Sequence, residues 1–534
     1  MRNFTFKGLF LTAVFMLLGC LSIQAANDDL ITKQITIKLD KAGTLPNKIA
    51  ISEMYKITNL KIIGEINGTD WNFIREMAGR DFKGEKTDGK LSILDLSEAK
   101  IVAGGDAYVR FSENYYTSND KLGDYVFYGC SGLTSLTLPS SVTSIGRGAF
   151  YGCWKLTSLT IPSGVTSIGY SAFRGCSGLT NLTLPSSVTE IGDKAFYGCS
   201  GLTSLTIPSG VTSIGDEAFS GCSRLTSLTL PSSVTSIGDK AFYSCWMLNS
   251  LTIPSSVTSI GDEAFYGCIG LTSLTIPSGV TSIGGGTFEG CSGLTSLTIP
   301  SGVTSIGKSA FRDCSGLTSL TLPSSVTSIG DYAFAGCSGL TSLTLPSGVT
   351  SIGGGTFWGC WKLTSLTLPS GVTSIGICAF YDCSGLTSLT IPSSVTSIGD
   401  KAFYGCSELT SLTIPFSVTE IGWGAFRGCS GLTSIYVYPE NLPELGIDIF
   451  TGCDAKNCTV YVPKGTYDAY KSSEFGYFEK IVEFDATGID KVTTSTNAKE
   501  VSRYSANGQR LSAPTKGLNI VKYSDGSVKK VAVE

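Results

Sequence analysis

The chain has 534 residues, of which only 15% are charged, and its formal net charge is −4. It contains no histidine, so the commonest general base and the commonest metal ligand are absent. The weakly acidic balance lacks the basic footprint of nucleic-acid-binding proteins. No GxSxG elbow and no glycine-rich phosphate loop before a helix occurs, so no catalytic residue, cofactor site or metal site is predicted.

Residues 1–26 have the pattern of an export signal. A basic start is followed by an apolar run over residues 9–18, and Ala25-Ala26 supplies small residues for cleavage. An alternative is the LLGC sequence ending at Cys20, which resembles a lipobox and would make Cys20 a lipidation site. Both alternatives predict an exported protein, either secreted or associated with the cell surface or outer membrane. No later stretch is long and apolar enough to be predicted as a transmembrane helix.

Residues 27–122 do not follow the pattern of the region after them, and we interpret them as an N-terminal cap domain. Thr69-Asp70 is predicted to cap a short helix that ends at Met77. Residues 114–120 are predicted to be a polar loop. Stacked repeats need such ends because their core is otherwise open to water.

Residues 123–452 are built from about 14 repeats of 23 residues, with the commonest form CSGLTSLTLPSSVTSIGDKAFYG. A fixed period of this length predicts a repeat solenoid. The SLTLP part alternates like a strand with one buried face and ends at proline. The VTSI part predicts a second extended edge, and the AFxxC spacing predicts a 3₁₀ or single helical turn.

One cysteine position recurs in every repeat. We predict small buried hydrophobic residues here, because parallel side chains in a stacked core do not present disulfide geometry. The positions are Cys130, Cys153, Cys176, Cys199, Cys222, Cys245, Cys268, Cys291, Cys314, Cys337, Cys360, Cys383, Cys406 and Cys429.

Three segments follow the repeats. Residues 453–484 are predicted to be a C-terminal cap whose later part carries aromatic residues at helical spacing. Cys453 and Cys458 flank a tight turn, and a local disulfide between them is left open as an alternative. Residues 485–500 are a polar linker, and residues 501–534 are predicted to form a small all-β module with two hairpin turns.

The unit LxxLxLPxxVxxIGxxAFxxC resembles the BspA-like, Treponema-type leucine-rich repeats of surface proteins from Bacteroidetes, treponemes and some protists. The resemblance implies a horseshoe or gently curved solenoid displayed outside the cell. It also implies adhesion to host proteins such as fibronectin and fibrinogen, or co-aggregation, and it supplies no catalytic motif. The tail is similar to C-terminal sorting domains of the type IX secretion kind. The residues that carry this second similarity are Tyr504, Asn507, Gly508, Gly517, Ile520, Val521, Gly526, Lys530 and Val531.

Departures from the repeat consensus are the places where a ligand surface can be encoded. Large aromatic residues are enriched in binding hot spots. The alternative interpretation is local packing across a neighbouring turn. The candidate ligand patch consists of Trp154, Trp246, Trp358, Trp361, Phe416 and Trp423. Trp358 and Trp361 form its preferred centre.

Two regular polar rows also recur. A threonine row, from Thr137 to Thr413, is predicted on the outer face of the strands, either as ordinary strand packing or as a hydroxyl surface for binding or glycosylation. An aspartate row contains Asp193, Asp216, Asp239 and Asp262, beside neighbours of alternating sign that offset its repulsion. A calcium site along this row is disfavoured, because calcium needs oxygens that converge in one loop.

The sequence therefore predicts a non-enzymatic, monomeric surface or secreted protein. The leading hypothesis is an adhesin or interaction scaffold for host extracellular proteins or other bacteria. The alternatives are a carbohydrate- or mucin-binding surface protein and a structural spacer without a specific ligand.

Overall fold

A computed structural model describes residues 30–486, 500–505, 509–513, 517–523 and 528–533. The export signal, Cys20, residues 487–499 of the linker and both predicted hairpin turns of the tail lie outside the described residues. None of the helices in the described ranges combines the length and apolarity that crossing a bilayer requires.

The chain divides into two compact units, residues 1–256 and 257–534. Each unit contains a parallel β-solenoid of 23-residue coils, and the second also contains the C-terminal antiparallel sheet. A coil has a first edge with the SLT strand, a second edge with the SI strand, and a third edge running from the Gly of IG to the Cys.

In the first unit, the strands of the two strand edges pair in register with the strands one repeat away. The first-edge strands are Ser135–Thr137, Ser158–Thr160, Asn181–Leu182, Ser204–Leu205, Ser227–Thr229 and Ser250–Thr252. The second-edge strands are Lys121–Leu122, Ser144–Ile145, Ser167–Ile168, Glu190–Ile191, Ser213–Ile214 and Ser236–Ile237.

The second unit repeats the same arrangement. The first-edge strands are Ser273–Thr275, Ser296–Thr298, Ser319–Thr321, Ser342–Thr344, Ser365–Thr367, Ser388–Thr390, Ser411–Ile414 and Ser434–Val437. The second-edge strands are Ser259–Ile260, Ser282–Ile283, Ser305–Ile306, Ser328–Ile329, Ser351–Ile352, Ser374–Ile375, Ser397–Ile398, Glu420–Ile421 and Glu444–Leu445.

The core of each coil is filled from all three edges. The leucines before and within the first edge, the Val and Ile of the second edge and the Phe and Cys of the third edge are almost all buried. Phe rings of neighbouring coils stack nearly parallel, as in Phe173 and Phe196, whose centroids are 5.3 Å apart. A single coil leaves both faces of this layer open to water, so burial is completed only by stacking.

The third edge consists of turns closed by hydrogen bonds of the i→i+3 type, such as the bond from the Tyr197 N–H to the Lys194 carbonyl. Lys194 and Gly198 have φ of +57° and +68°. These left-handed residues interrupt the turns, so that alternate N–H groups point along the stack. The N–H groups of Lys194, Phe196 and Gly198 donate to carbonyls of the next coil at 2.7 to 2.8 Å.

The cysteine row takes part in this edge. Each thiol at positions 153 to 429 for which a contact is resolved lies 3.0 to 3.3 Å from the carbonyl oxygen of the Phe in the preceding coil. All fourteen cysteines are fully buried and free. The position therefore holds a small side chain that also donates a weak S–H hydrogen bond between coils.

The N-terminal segment continues the first-edge sheet. Its elements are the strands Ile35–Lys38, Asn59–Ile66, Ile93–Ile101, Gly104–Arg110 and Asn114–Thr117, the helices Ile51–Met54 and Gly68–Met77, and the 3₁₀ turn Leu45–Asn47. Leu94 pairs with Leu136 of the first coil. The predicted polar loop at 114–120 is wrong in its first half, because Asn114–Thr117 pairs antiparallel with Gly104–Arg110.

The cap helix begins earlier than predicted. Its N-cap is Asn67, whose Oδ1 accepts a hydrogen bond from the Thr69 N–H at 3.1 Å. Asp70 is the third helical residue and accepts from the Asn67 N–H at 2.9 Å, which completes a capping box. Asp70 also accepts from the N–H groups of Gly43 and Leu45, so its buried carboxylate holds the chain at residues 43–45 against the start of the helix.

Two arginines close the N-terminal end of the third edge. The first coil has no preceding coil to donate to its carbonyls, and an unpaired buried carbonyl is costly. The fully buried Arg75 donates through Nη1 to the carbonyls of Tyr125 and Val126 at 2.9 and 2.7 Å. Of these two carbonyls, that of Val126 gains the donor it lacks, whereas that of Tyr125 also accepts from the Tyr128 N–H. Arg80 donates through Nε to the Gly129 carbonyl at 2.8 Å, which also accepts from the Ser131 N–H.

In the second unit, the last coil lacks hydrogen-bond acceptors, because no further coil follows it to accept from its N–H groups. Glu474 accepts from the Ile449 N–H, and the Tyr477 hydroxyl accepts from the Gly452 N–H, both at 3.3 Å. The C-terminal cap comprises the strands Thr459–Pro463 and Lys480–Phe484, the helix Tyr467–Lys471 and the 3₁₀ turn Glu474–Tyr477. The aromatic residues predicted at helical spacing thus lie partly in helical turns, whereas the last part of the segment, Lys480–Phe484, is a strand. Cys453 and Cys458 carry free thiols.

The C-terminal module is an antiparallel sheet with the spatial order Arg510–Leu511, Glu500–Ser505, Gly517–Tyr523 and Val528–Val533. Arg503 forms a two-pronged ion pair with Glu500, at 2.8 and 2.9 Å.

Candidate binding site on the third edge

Two polar positions of the repeat form hydrogen bonds between coils. Threonines at the position just before the first-edge strand, which is not the row from Thr137 to Thr413, donate to the backbone of the preceding coil, as in Thr157 Oγ1 to the Thr134 carbonyl at 3.1 Å. The aspartates accept from the next coil, as in Asp216 Oδ1 from the Asp239 N–H at 2.8 Å. Lys194 pairs with Glu217 at 3.2 Å beside this row. Within the described ranges, no group of three potential metal-ligating side chains is present.

The threonine row from Thr137 to Thr413 differs from these. It lies on the outer face of the first-edge strands and is exposed from Thr160 onward. In the described part of the chain, these hydroxyls have no hydrogen bond to the protein. They form a regular polar surface that is available to solvent.

This row ends in aromatic residues in the second unit. Tyr436 stands in register with Thr413, and Tyr461 with Tyr436. The two rings stack 4.5 Å apart at 6°, and Phe484 meets Tyr436 edge-on. The SIYVY and TVYVP segments encode this platform, and sequence analysis did not single it out as a site.

The six predicted patch residues do not form one patch. Trp154 and Trp246 are exposed in the first unit. In the second unit Phe416 is exposed on the loop before the second edge, and Lys401 lies 4.3 Å over the ring of Trp423. Trp358 and Trp361 line one cavity together.

That cavity, of about 370 Å³, exists because one repeat position is small. The residue after the core Phe is Tyr in seven of the fourteen repeats, but in this coil it is Ala335, which is 5% exposed. The gap above Ala335 is bordered by Arg312 and Asp313 of the preceding coil and by Trp358 and Trp361 of the following coil. We call this site the Ala335 notch, lined by Arg312, Asp313, Tyr332, Ala335, Trp358 and Trp361.

The aromatic wall of the notch continues along the stack. Trp358 lies 6.1 Å from Tyr332 and 5.3 Å from Tyr381, measured between ring centroids. Tyr381 and Tyr404 then stack at 4.6 Å and 3°. Trp358 and Trp361 are 43% and 54% exposed, so large apolar faces remain open to a ligand.

The opposite wall is polar. Arg312 lies 3.6 Å from Asp313 and 3.9 Å from Glu289, distances too long for hydrogen bonds. Among the described residues, the guanidinium N–H groups therefore have no hydrogen-bond acceptor in the protein. Burial raises the pKa of Glu289, and the charge of Arg312 opposes this rise. Hydroxyls of Ser315 and Ser338 also line the notch.

A family model for the BspA type leucine-rich repeat region matches residues 120–249, 235–364 and 350–482. Together these matches cover well over half of the chain. The chain belongs to the BspA-type leucine-rich repeat family. No curated protein matches it.

Solved structures of bacterial leucine-rich repeat proteins are similar to this chain, and three of them are compared with it. A leucine-rich repeat protein from Bacteroides ovatus is 28% identical over 74% of this chain and 84% of that chain, with a TM-score of 0.49. A leucine-rich cell surface protein from Faecalibacterium prausnitzii is 35% identical over 54% and 86%, with a TM-score of 0.39. The T. pallidum leucine-rich repeat protein is 36% identical over 30% and 78%, with a TM-score of 0.29.

In this BspA-type chain, sequence analysis found the two tryptophans but missed the rest of the notch. Ala335 and Asp313 are also departures from the consensus, which has Tyr and Gly at these positions. A small residue in place of a large one is a weaker signal in a sequence than an added tryptophan. Aligning the repeats in columns and looking for a small residue between large neighbours finds Ala335, and also Ser220 between Tyr197 and Tyr243.

Proposed function

We propose that this protein is a non-enzymatic binding protein displayed on the cell surface or secreted, and that the Ala335 notch is its principal contact site. The observation that carries the proposal is the cavity itself, where aromatic faces and the Arg312–Asp313 ion pair are exposed together in an otherwise regular surface. Pockets of this kind, with apolar walls and a few polar groups, are typical of ligand sites. The absence of histidine supports a binding rather than a catalytic role.

Membership in the BspA-type family and the export pattern of residues 1–26 support a location outside the cell. Candidate partners are extracellular proteins and glycans. The test is binding of the purified chain to immobilised fibronectin, fibrinogen and mucin by interferometry. We expect saturable binding to at least one, weakened by Trp358→Ala and retained by Trp246→Ala. Flat traces across all surfaces would favour the spacer hypothesis instead.

The C-terminal module provides a separate test of export. We propose that residues 501–534 act as a sorting signal, as their similarity to C-terminal sorting domains implies. Antibody labelling of intact cells should detect the full chain and lose a variant that ends at residue 500. Equal labelling of the two on intact cells would contradict this role, and permeabilised cells control for expression.

A further inference from the structure

We propose that the Ala335 notch binds a neutral sugar ring of a glycan, with Trp358 or Trp361 as the stacking platform. This inference rests on the proposed function and names the ligand class of its site. A sugar ring has one face of C–H groups and a rim of hydroxyls. It therefore needs an aromatic surface with hydrogen-bonding groups beside it, and the notch is lined by both.

The size of the cavity fits such a ligand. Its volume of about 370 Å³ is at the lower end of the range for small-molecule sites. Its lining includes the small residues Ala335 and Gly336, which lie between the coil of Arg312 and the coil of Trp358. A Tyr in place of Ala335, as in most other repeats, would fill this space.

The polar wall matches vicinal hydroxyls. Each hydroxyl both donates and accepts hydrogen bonds. Arg312 presents donors and Asp313 presents carboxylate oxygens, only 3.6 Å apart and both largely exposed. Neither side chain has a hydrogen-bond partner among the described residues. Two adjacent hydroxyls can therefore be bound by one donor and one acceptor group without breaking an existing hydrogen bond.

The charge balance favours a neutral ligand. Among the described residues that line the notch, Arg312 is the only cation, and it is ion-paired with Asp313 and with Glu289 beside the notch. An anionic ligand, such as a sialylated or sulfated glycan, would have to compete with these carboxylates for Arg312. A purely apolar peptide side chain would bury the polar wall without satisfying it, which is unfavourable.

The test uses the purified full chain and a panel of neutral glycans, with sialylated and sulfated glycans as a second set. Binding is measured by saturation-transfer NMR with methyl glycosides and by isothermal titration with the best neutral oligosaccharide. A single ring in such a shallow site should bind with about millimolar affinity. We expect neutral glycans to bind and anionic ones to bind more weakly.

The variants return single positions toward the repeat consensus, so that they keep the fold. Ala335→Tyr fills the notch, and Asp313→Gly removes the acceptor at a position where φ is +57° and glycine is usual. We expect at least about tenfold weaker binding for Ala335→Tyr and for the double variant Trp358→Ala/Trp361→Ala, which removes both candidate platforms. Trp246→Ala is the matched control, because Trp246 occupies the column of Trp361, is 55% exposed and lies in the first unit. Its binding should match that of the unaltered chain.

The outcomes separate this inference from the proposed function. Glycan binding that survives both Ala335→Tyr and the double variant Trp358→Ala/Trp361→Ala overturns the inference. So does binding only of host proteins through the notch, but that result supports the proposed function. Absence of any ligand in both panels overturns both.

Discussion

The Sγ atom of Cys222 lies 3.2 Å from the carbonyl oxygen of Phe196 in the preceding coil. Because this contact recurs along both units, a change at one cysteine tests what the whole row contributes. Replacement of Cys222 by Ala removes a buried sulfur and its hydrogen bond. We expect a loss of about 1–2 kcal/mol, measured by urea denaturation followed by circular dichroism. Cys378→Ala is the control, because Cys378 is partly exposed and outside the row, and it should change the midpoint much less. Equal effects would argue against a special role of the row.

The buried thiols should resist labelling. Thiolates are the reactive form, and burial raises the pKa of Cys222 well above its ordinary value. In the folded protein we expect a maleimide reagent to modify Cys378 first among the described cysteines, identified by peptide mass spectrometry. Full labelling should appear only in denaturant. Disulfide-linked peptides from neighbouring coils would contradict the free-thiol structure.

Stability should fall in alkali. Burial raises the pKa of Cys199 and Cys245 in the first unit, and of Cys291 in the second, to about 12. An unfolded thiol titrates at about 8.5, so from there to about pH 12 the folded state holds more protons than the unfolded state. The free energy of unfolding therefore falls as pH rises across this window, by up to about 1.4 kcal/mol per thiol and pH unit. Melting temperatures from pH 7 to 11 measure this fall. A Cys199→Ala/Cys245→Ala variant should show a shallower slope, and an unchanged slope would assign the effect to other groups.

The N-terminal cap depends on Arg75. Arg75→Met keeps much of the side-chain volume but leaves the Val126 carbonyl without its donor, whereas the Tyr125 carbonyl keeps the Tyr128 N–H. We expect a loss of about 2–4 kcal/mol in the first unit, detected as faster hydrogen exchange in residues 121–130. Arg75→Lys should be intermediate, because lysine keeps the charge and loses the fork of donors. Exchange in the second unit at residues 300–330 serves as the internal control.

Ser171 has a left-handed backbone conformation that we expect to lower the free energy of unfolding. Ser171 has φ of +53°, is buried, and its hydroxyl has no hydrogen-bond partner. Ser171→Gly should raise the free energy of unfolding by about 1 kcal/mol, measured by chemical denaturation. The reverse change at the equivalent Gly148, also at positive φ, should destabilise, since a Cβ there would lie 2.6 Å from the Tyr125 ring. A destabilised Ser171→Gly variant would show that the hydroxyl has a role.

The sequence by itself determined the repeat period, the fold class and the residues of the core. Each coil carries the same local pattern of apolar residues, turns and prolines, and a pattern repeated with one period has only one way to bury its apolar face. Only the tertiary structure decided how the positions of neighbouring coils combine. The notch at Ala335 depends on the sizes of residues one repeat before and after it, and the role of Arg75 depends on carbonyls 50 residues later in the chain. The physical reason is that hydrogen bonds between coils and the shape of the surface depend on residues from different repeats. A sequence pattern within one repeat describes only its own coil.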